Sequence, residues 1–222
     1  MKSTKVIFVF DLDGTLAHTA PSLLKAGNRV LKELGRKKIN VEKYSTFIGK
    51  GTRRQVEQLL DYTGGVPEKG LDFYYEKFMK IYKTDPFSDS FLYPGVSVLL
   101  QFLKEKKITM ALCTQKNSEP ATKLIKELKI YEYFKGFAFG DSTKFLKPDI
   151  RVFKHAVKDL GEARYFYVGD SETDLSLAEK VNANFMFHKN GYSEDLSYRK
   201  GVSFSFDTFF QLQVHITEFL GQ

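Results

Sequence analysis

Four stretches of the sequence place acids, a hydroxyl and lysines where apolar runs stop. The run VIFVF (6–10) ends in Asp11-Leu12-Asp13-Gly14-Thr15, with two carboxylates two positions apart. ITMALCT (108–114) ends in Thr114, followed by Gln115, Lys116 and Asn117. STKFLKPD supplies Lys144 and Lys147, and RYFYVGD leads into Asp170-Ser171-Glu172-Thr173-Asp174. Each has an ordinary structural use when taken alone. Asp, Ser or Thr after a strand commonly caps a helix, which is the better single explanation of Asp174, and Lys-Pro starts a turn or helix. Taken together they ask for more. Acids converging on one rim repel each other unless a cation joins them, and Asp carboxylates completed by water describe a Mg²⁺ site. A metal with a lysine and a hydroxyl beside it forms a cradle for a dianion such as phosphate.

The elements that must position these residues are short apolar runs at 6–10, 108–114, 136–140, 164–170 and 183–188. They are continuous rather than alternating, as expected of strands buried on both faces of a parallel sheet. Helical patterns fall between them at about 94–106, 117–129, 149–160 and 173–181, with a last one near 207–219. This alternation predicts an α/β fold with a doubly wound parallel sheet. Ligands of such sheets bind beyond the carboxyl ends of the strands, where the four stretches stand. From 17 to 92 no strand is expected, only helical patterns at about 20–35, 52–63 and 68–83. That is far more chain than a parallel crossover needs. We therefore expect a catalytic core of residues 1–16 and 93–222 with an all-helical domain, 17–92, inserted after the first strand.

The remaining composition narrows the classes. The chain has 222 residues, 42% hydrophobic and 27% charged, with a net charge of +7. The excess favours anionic partners in general. Basic runs such as 32–38 and 104–107 end amphipathic stretches and read as solvated helix C-termini. No zinc-finger spacing or aromatic-basic RNA signature is present, so no nucleic-acid partner is expected. The single cysteine, Cys113, excludes an internal disulfide framework and fits a reducing compartment. The first apolar run is too short for a secretory signal, and none approaches a membrane span. A cytoplasmic protein with no membrane partner is expected, as a monomer or a homodimer.

The ordered set DLDGTL (11–16), a threonine ending the second core strand, KPD (147–149) and GDSETD (169–174) resembles the four motifs of the haloacid dehalogenase-like hydrolase superfamily. The resemblance covers about 5–16 and 93–200, and the insert falls where that superfamily's C1 cap lies. NGYSEDL (190–196) is similar to the phosphoglycolate phosphatase-like branch. The resemblance implies a Mg²⁺-dependent phosphatase acting on a small phosphorylated metabolite. Asp11 would be the nucleophile that forms an aspartyl-phosphate, and Asp13 the acid and base. Thr114 and Gln115 would contact the substrate, and Lys147 rather than Lys144 would offset the phosphate charge. Asp11, Asp170 and the main-chain carbonyl of Asp13 would hold the metal, with Asp174 supporting them. Asp13 disfavours a dehalogenase, and also a phosphonatase, although Lys50 keeps the second idea open. A β-phosphoglucomutase-like phosphosugar mutase and a non-catalytic binding protein on the same fold are the alternatives.

In the insert, FIGKGTRRQV (47–56) carries two glycines, a Thr52-Gln55 capping box and three cations, Lys50, Arg53 and Arg54. Cations oppose a helix N-terminus unless an anion joins them. We expect one or more of the three to meet a second acidic group of the substrate, with a plain basic surface as the alternative. His18 departs from the family pattern and stands at the hinge into the insert, where it either serves the hinge or touches substrate. His155, His188 and His215 lack metal-ligand spacing and are expected to be structural or surface residues.

Overall fold

The structure, a computed structural model, describes residues 5–220. Its main sheet has six strands: β1 (Val6–Phe10), β4 (Thr109–Cys113), β5 (Gly136–Ala138), β6 (Arg164–Gly169), β7 (Asn184–His188) and β8 (Val202–Phe206). All pair in parallel, in the order β5-β4-β1-β6-β7-β8, so β1 is central. The alternation of β1 is hidden by hydrophobicity on both sides. Phe8 and Phe10 enter one core layer with α5 (Val96–Glu105), α6 (Ser118–Glu127) and α9 (Phe209–Leu220). Ile7 and Val9 enter the other with α7 (Ile150–Val157) and α8 (Glu172–Lys180). Phe8 is fully buried and stacks on Phe166 at 4.9 Å. Truncating such a side chain to alanine costs about 3–5 kcal/mol.

Register explains why the chemical residues converge. Phe10 pairs with Leu112 on one side and Val168 on the other. The next residues, Asp11, Cys113 and Gly169, therefore leave the sheet at one level, with Thr114 and Asp170 one step beyond. Asp11 continues the Ile7-Val9 face, the side on which α7 and α8 pack.

Between β1 and β4 lie α1 (Ala20–Glu33), α2 (Val41–Ser45), α3 (Thr52–Tyr62) and α4 (Gly70–Tyr82), with an apolar core of their own that includes Leu23, Tyr44, Leu59 and Phe78. The chain enters and leaves this insert through a small antiparallel ribbon, β2 (Ala17–His18) against β3 (Phe91–Leu92). The ribbon, α2 and β8 were absent from the sequence expectation. β8 alternates valine and phenylalanine with serine because it is an edge strand with one partly exposed face, so it lacks the continuous apolar run that marks the inner strands. No helix among the described residues is long and apolar enough to cross a membrane.

Candidate active site

The turn after β1 is closed by its own backbone: Gly14 N–H donates to the Ala17 carbonyl at 2.9 Å, and Ala17 N–H to Leu12 at 3.0 Å. Gly14 has φ 87°, and a Cβ there would stand 2.3 Å from Asp170 Oδ2. Only glycine lets the turn press against that carboxylate. Thr15 then donates its hydroxyl to Asp170 Oδ1 at 2.9 Å, and Tyr192 N–H donates to Oδ2 at 2.8 Å. Beneath the turn, buried His188 places Nδ1 2.9 Å from the Gly14 carbonyl. Burial lowers its pKa and favours the neutral ring. A carbonyl can only accept, so Nδ1 carries the proton.

Lys147, arriving from the loop before α7, sits in the middle of the acids. Its Nζ donates to Asp11 Oδ1 at 2.6 Å, Asp174 Oδ1 at 2.7 Å and the Cys113 carbonyl at 3.1 Å. Lys144 is exposed beside Phe145 and does not reach the acids. Ser171, not Asp174, is the N-cap of α8. That frees the Asp174 carboxylate to face Lys147 and to accept from Ser171 and from the Tyr167 hydroxyl.

The electrostatics follow from burial. Asp11 is raised well above the ordinary carboxylate range, first by loss of water, with Lys147 opposing. Asp170 is pushed up to about 7 by burial and then by the charge of Asp174. Burial works against the charge of Lys147, but Asp11 and Asp174 outweigh it and hold its pKa above that of an ordinary lysine. Asp11, Asp170 and Asp174 each present an oxygen within 4.8 Å of the others. One lysine beside three carboxylates leaves a negative, all-oxygen nest, the donor set that suits a hard divalent cation.

Asp13 lies just outside this nest. Its Oδ1 accepts from the Thr19 hydroxyl at 2.5 Å and from Lys116 Nζ at 2.9 Å. Lys116 is buried and also lies 4.9 Å from the Tyr82 ring centre, which belongs to α4 of the insert. Burial opposes its charge, and Asp13 more than compensates. Lys116, Thr15, Tyr167 and Tyr192 were all missed by the sequence reading. Lys116 had a usable signal: a lysine two residues after a strand-ending threonine, on the rim where the acids collect.

Thr114 and Gln115 both reach the pocket. Thr114 Oγ1 accepts from Lys116 N–H, leaving its own proton available, and the Gln115 amide donates to the Gly49 carbonyl of the insert. The inner pocket is lined on the core side by these residues and the acids. The insert contributes Ile48, Gly49, Gly51 and Gln55. Lys50, Arg53 and Arg54 line a neighbouring outer cleft instead. Arg53 pairs with Asp72 at 2.8 Å and Arg54 with Glu57 at 2.5 Å, both in solvent, so in this arrangement neither guanidinium lines the inner pocket. The capping box also fails. Gly51 is the N-cap of α3, and Thr52, already helical, makes no side-chain cap. His18 packs among Phe91, Tyr93 and Tyr192 at the hinge and does not line the pocket. The Tyr192 hydroxyl accepts from Thr19 N–H at 2.6 Å and Ala20 N–H at 2.9 Å, tying the start of α1 to the loop that braces Asp170.

Comparison with known proteins identifies the family. A family model described as haloacid dehalogenase-like hydrolase matches residues 8–188. A phosphoglycolate phosphatase of Rhodobacter capsulatus is 35% identical over 83% of this chain and 84% of its own length. One from Cereibacter sphaeroides is 34% identical over 83% and 85%. A crystal structure of a predicted phosphoglycolate phosphatase from Haemophilus somnus superposes with a TM-score of 0.88, covering 98% of this chain and 100% of that one at 23% identity, a likeness of fold. The chain belongs to the haloacid dehalogenase-like hydrolase family.

Proposed function

We propose that this phosphoric monoester hydrolase is a Mg²⁺-dependent phosphatase for a small phosphorylated metabolite of the phosphoglycolate kind, working through an aspartyl-phosphate on Asp11. The observation that carries the reading is the placement of Asp11, buried at the end of the central strand between Lys147 and two further acids, with Asp13 beside the same pocket.

In this reading an Asp11 carboxylate oxygen attacks phosphorus and the ester P–O bond breaks. Asp13 donates a proton to the departing alkoxide. Asp13 then takes a proton from water as that water attacks the aspartyl-phosphate, releasing phosphate and restoring Asp11. Lys147 favours the ionised form of Asp11 against burial and an arriving anion, and the free Thr114 hydroxyl proton can bind a phosphoryl oxygen. Asp11, Asp170 and Asp174, with the Asp13 main chain, would hold Mg²⁺, which supplies positive charge to the transferring group. The pocket is narrow and closed over by the insert's Ile48, Gly49, Gly51 and Gln55, which favours a short leaving group. We also read residues 17–92 as a cap over a core of 1–16 and 93–222, supported by the insert's separate apolar core and the Gln115–Gly49 bond between the two parts.

The test is a kcat/KM screen of phosphoglycolate, hexose phosphates and an aryl phosphate, with and without excess chelator, on the wild type and on Asp11→Asn. Expected are stoichiometric phosphate release, silence in chelator and a loss of at least about a thousandfold in the variant. Phosphoryl groups returned to a sugar would favour the mutase. Turnover by Asp11→Asn at a tenth of the wild-type rate would remove Asp11 as nucleophile.

A further inference from the structure

Among the described residues, three buried side-chain polar atoms lack a hydrogen-bond partner: the Tyr44 hydroxyl, Gln55 Oε1 and Gln58 Oε1. Of these residues only Gln55 lines the inner pocket, and it is 4% exposed. Its backbone is fixed, since Gln55 N–H closes the first turn of α3 onto the Gly51 carbonyl at 3.1 Å. The side chain thus starts from a fixed point on the pocket wall, and its amide oxygen is buried with no partner. Burying an unsatisfied polar group is costly and calls for a compensating partner, and at a pocket wall a bound ligand can supply it.

The rest of the lining says which part of a ligand that is. The phosphoryl end faces the sheet rim, where Lys147 binds Asp11 and Asp174, and Lys116 binds Asp13. Opposite, Ile48, Gly49 and Gly51 offer no polar side chain, so Gln55 is the insert's only one in the pocket. Arg53 and Arg54 are engaged outside with Asp72 and Glu57. Whatever leaves with the ester oxygen meets one amide and an otherwise neutral, close wall.

We propose that Gln55 is a specificity-determining residue whose amide hydrogen-bonds an oxygen substituent on the short leaving group of the substrate. This rests on the phosphatase reading above. An amide serves two forms of that oxygen: its carbonyl accepts from a hydroxyl, and the same group turned end for end donates to a carboxylate. A site built around such a bond discriminates strongly against an analogue that lacks the oxygen, because the buried amide is then left unpaired.

The experiment measures kcat/KM in saturating Mg²⁺ for phosphoglycolate, 2-hydroxyethyl phosphate and ethyl phosphate, with wild type, Gln55→Leu and Gln55→Glu, together with melting temperatures. Wild type is expected to prefer an oxygen-bearing ester to ethyl phosphate. Gln55→Leu should lose about 10- to 100-fold on the preferred ester. Its loss on ethyl phosphate should be at least about ten times smaller. Its melting temperature should hold or rise, since leucine replaces an unpartnered polar group. Gln55→Glu should further depress phosphoglycolate if the carboxylate is read, and should spare 2-hydroxyethyl phosphate relative to it. Equal loss on all three esters, no loss on any, or a lower melting temperature in Gln55→Leu overturns the proposal. If wild type hydrolyses none of these esters and no aryl phosphate, the phosphatase reading itself has failed. Normal wild-type turnover with an unselective Gln55→Leu overturns Gln55 alone.

Discussion

The two walls of the inner pocket are built on opposite plans. The sheet side carries Asp11, Asp13, Asp170 and Asp174 with Lys116 and Lys147, every one of them hydrogen-bonded and all buried except half-buried Asp13. The insert side carries two glycines, an isoleucine and one unpartnered amide. Strand register sets the first wall: its residues emerge from neighbouring strands at one level and cannot move independently. The second is a helix start and loop that touches the core through few bonds, Gln115–Gly49 among them. Charge chemistry sits where positions are over-determined, and selection sits where a single side chain can change without disturbing the acids. Altering the sheet wall should therefore cost stability and activity together, whereas altering the insert wall should mainly change preference.

The sharpest break of that contrast is Lys147→Met. It removes the one ammonium among three buried carboxylates, and loss of one partner from a buried ion pair costs about 3–5 kcal/mol. We expect a fall of that size in denaturant-derived stability and loss of detectable hydrolysis. A variant as stable as wild type would show that the acids are not held in the charged state in which they face Lys147.

Divalent metal should act on the same wall in the opposite sense, with a pH dependence whose sign is fixed. Asp170 sits at about 7 in the fold, above the roughly 3.9 of an unfolded aspartate. Between those values the folded chain holds a proton that the unfolded chain has lost, so this group makes stability fall as pH rises from about 4 to 7. Above 7 the carboxylate is ionised and ready for a cation. Added Mg²⁺ should raise the melting temperature by several degrees at pH 8 and by less than half as much at pH 5. An equal shift at both values would mean that the metal binds elsewhere.

The sheet wall was also the legible one. Asp11, Asp13, Thr114, Asp170 and Asp174 could be read because they stand at or just past apolar runs, and strand ends of a parallel sheet share a rim, whereas Lys147 stands in a loop and was marked by its KPD motif. Their braces could not. Tyr192 lies 22 residues beyond the Asp170 it supports, and Tyr167 looks like any other core aromatic until Asp174 is placed beside it. Such contacts come from loops and strand faces meeting in space and leave no local pattern. The insert wall was less legible for a related reason. Around 50–55 the charged residues drew attention, but α3 starts one residue earlier than a Thr52 cap would put it. In the resulting arrangement Gln55 lines the pocket, while Arg53 and Arg54 have acidic partners outside it.

The outward placement of these two arginines supplies the smallest expected effect and the cleanest test of the contrast. Arg53 and Arg54 side chains are 57% and 52% exposed and paired with Asp72 and Glu57. Exposed pairs contribute between about 0 and 1 kcal/mol, and water screens what charge they project into the pocket. Arg53→Ala and Arg54→Ala should each change kcat/KM by less than about threefold, equally for phosphoglycolate and for an aryl phosphate, because neither guanidinium touches the inner pocket. A loss above tenfold confined to the acidic substrate would mean that the insert swings these arginines inward when substrate binds. Selection would then be electrostatic, and the neutral wall would describe only the resting arrangement. Gln55→Leu made in the same background separates the two cases, since a wall that selects through one amide loses its preference with Gln55 and keeps it without the arginines.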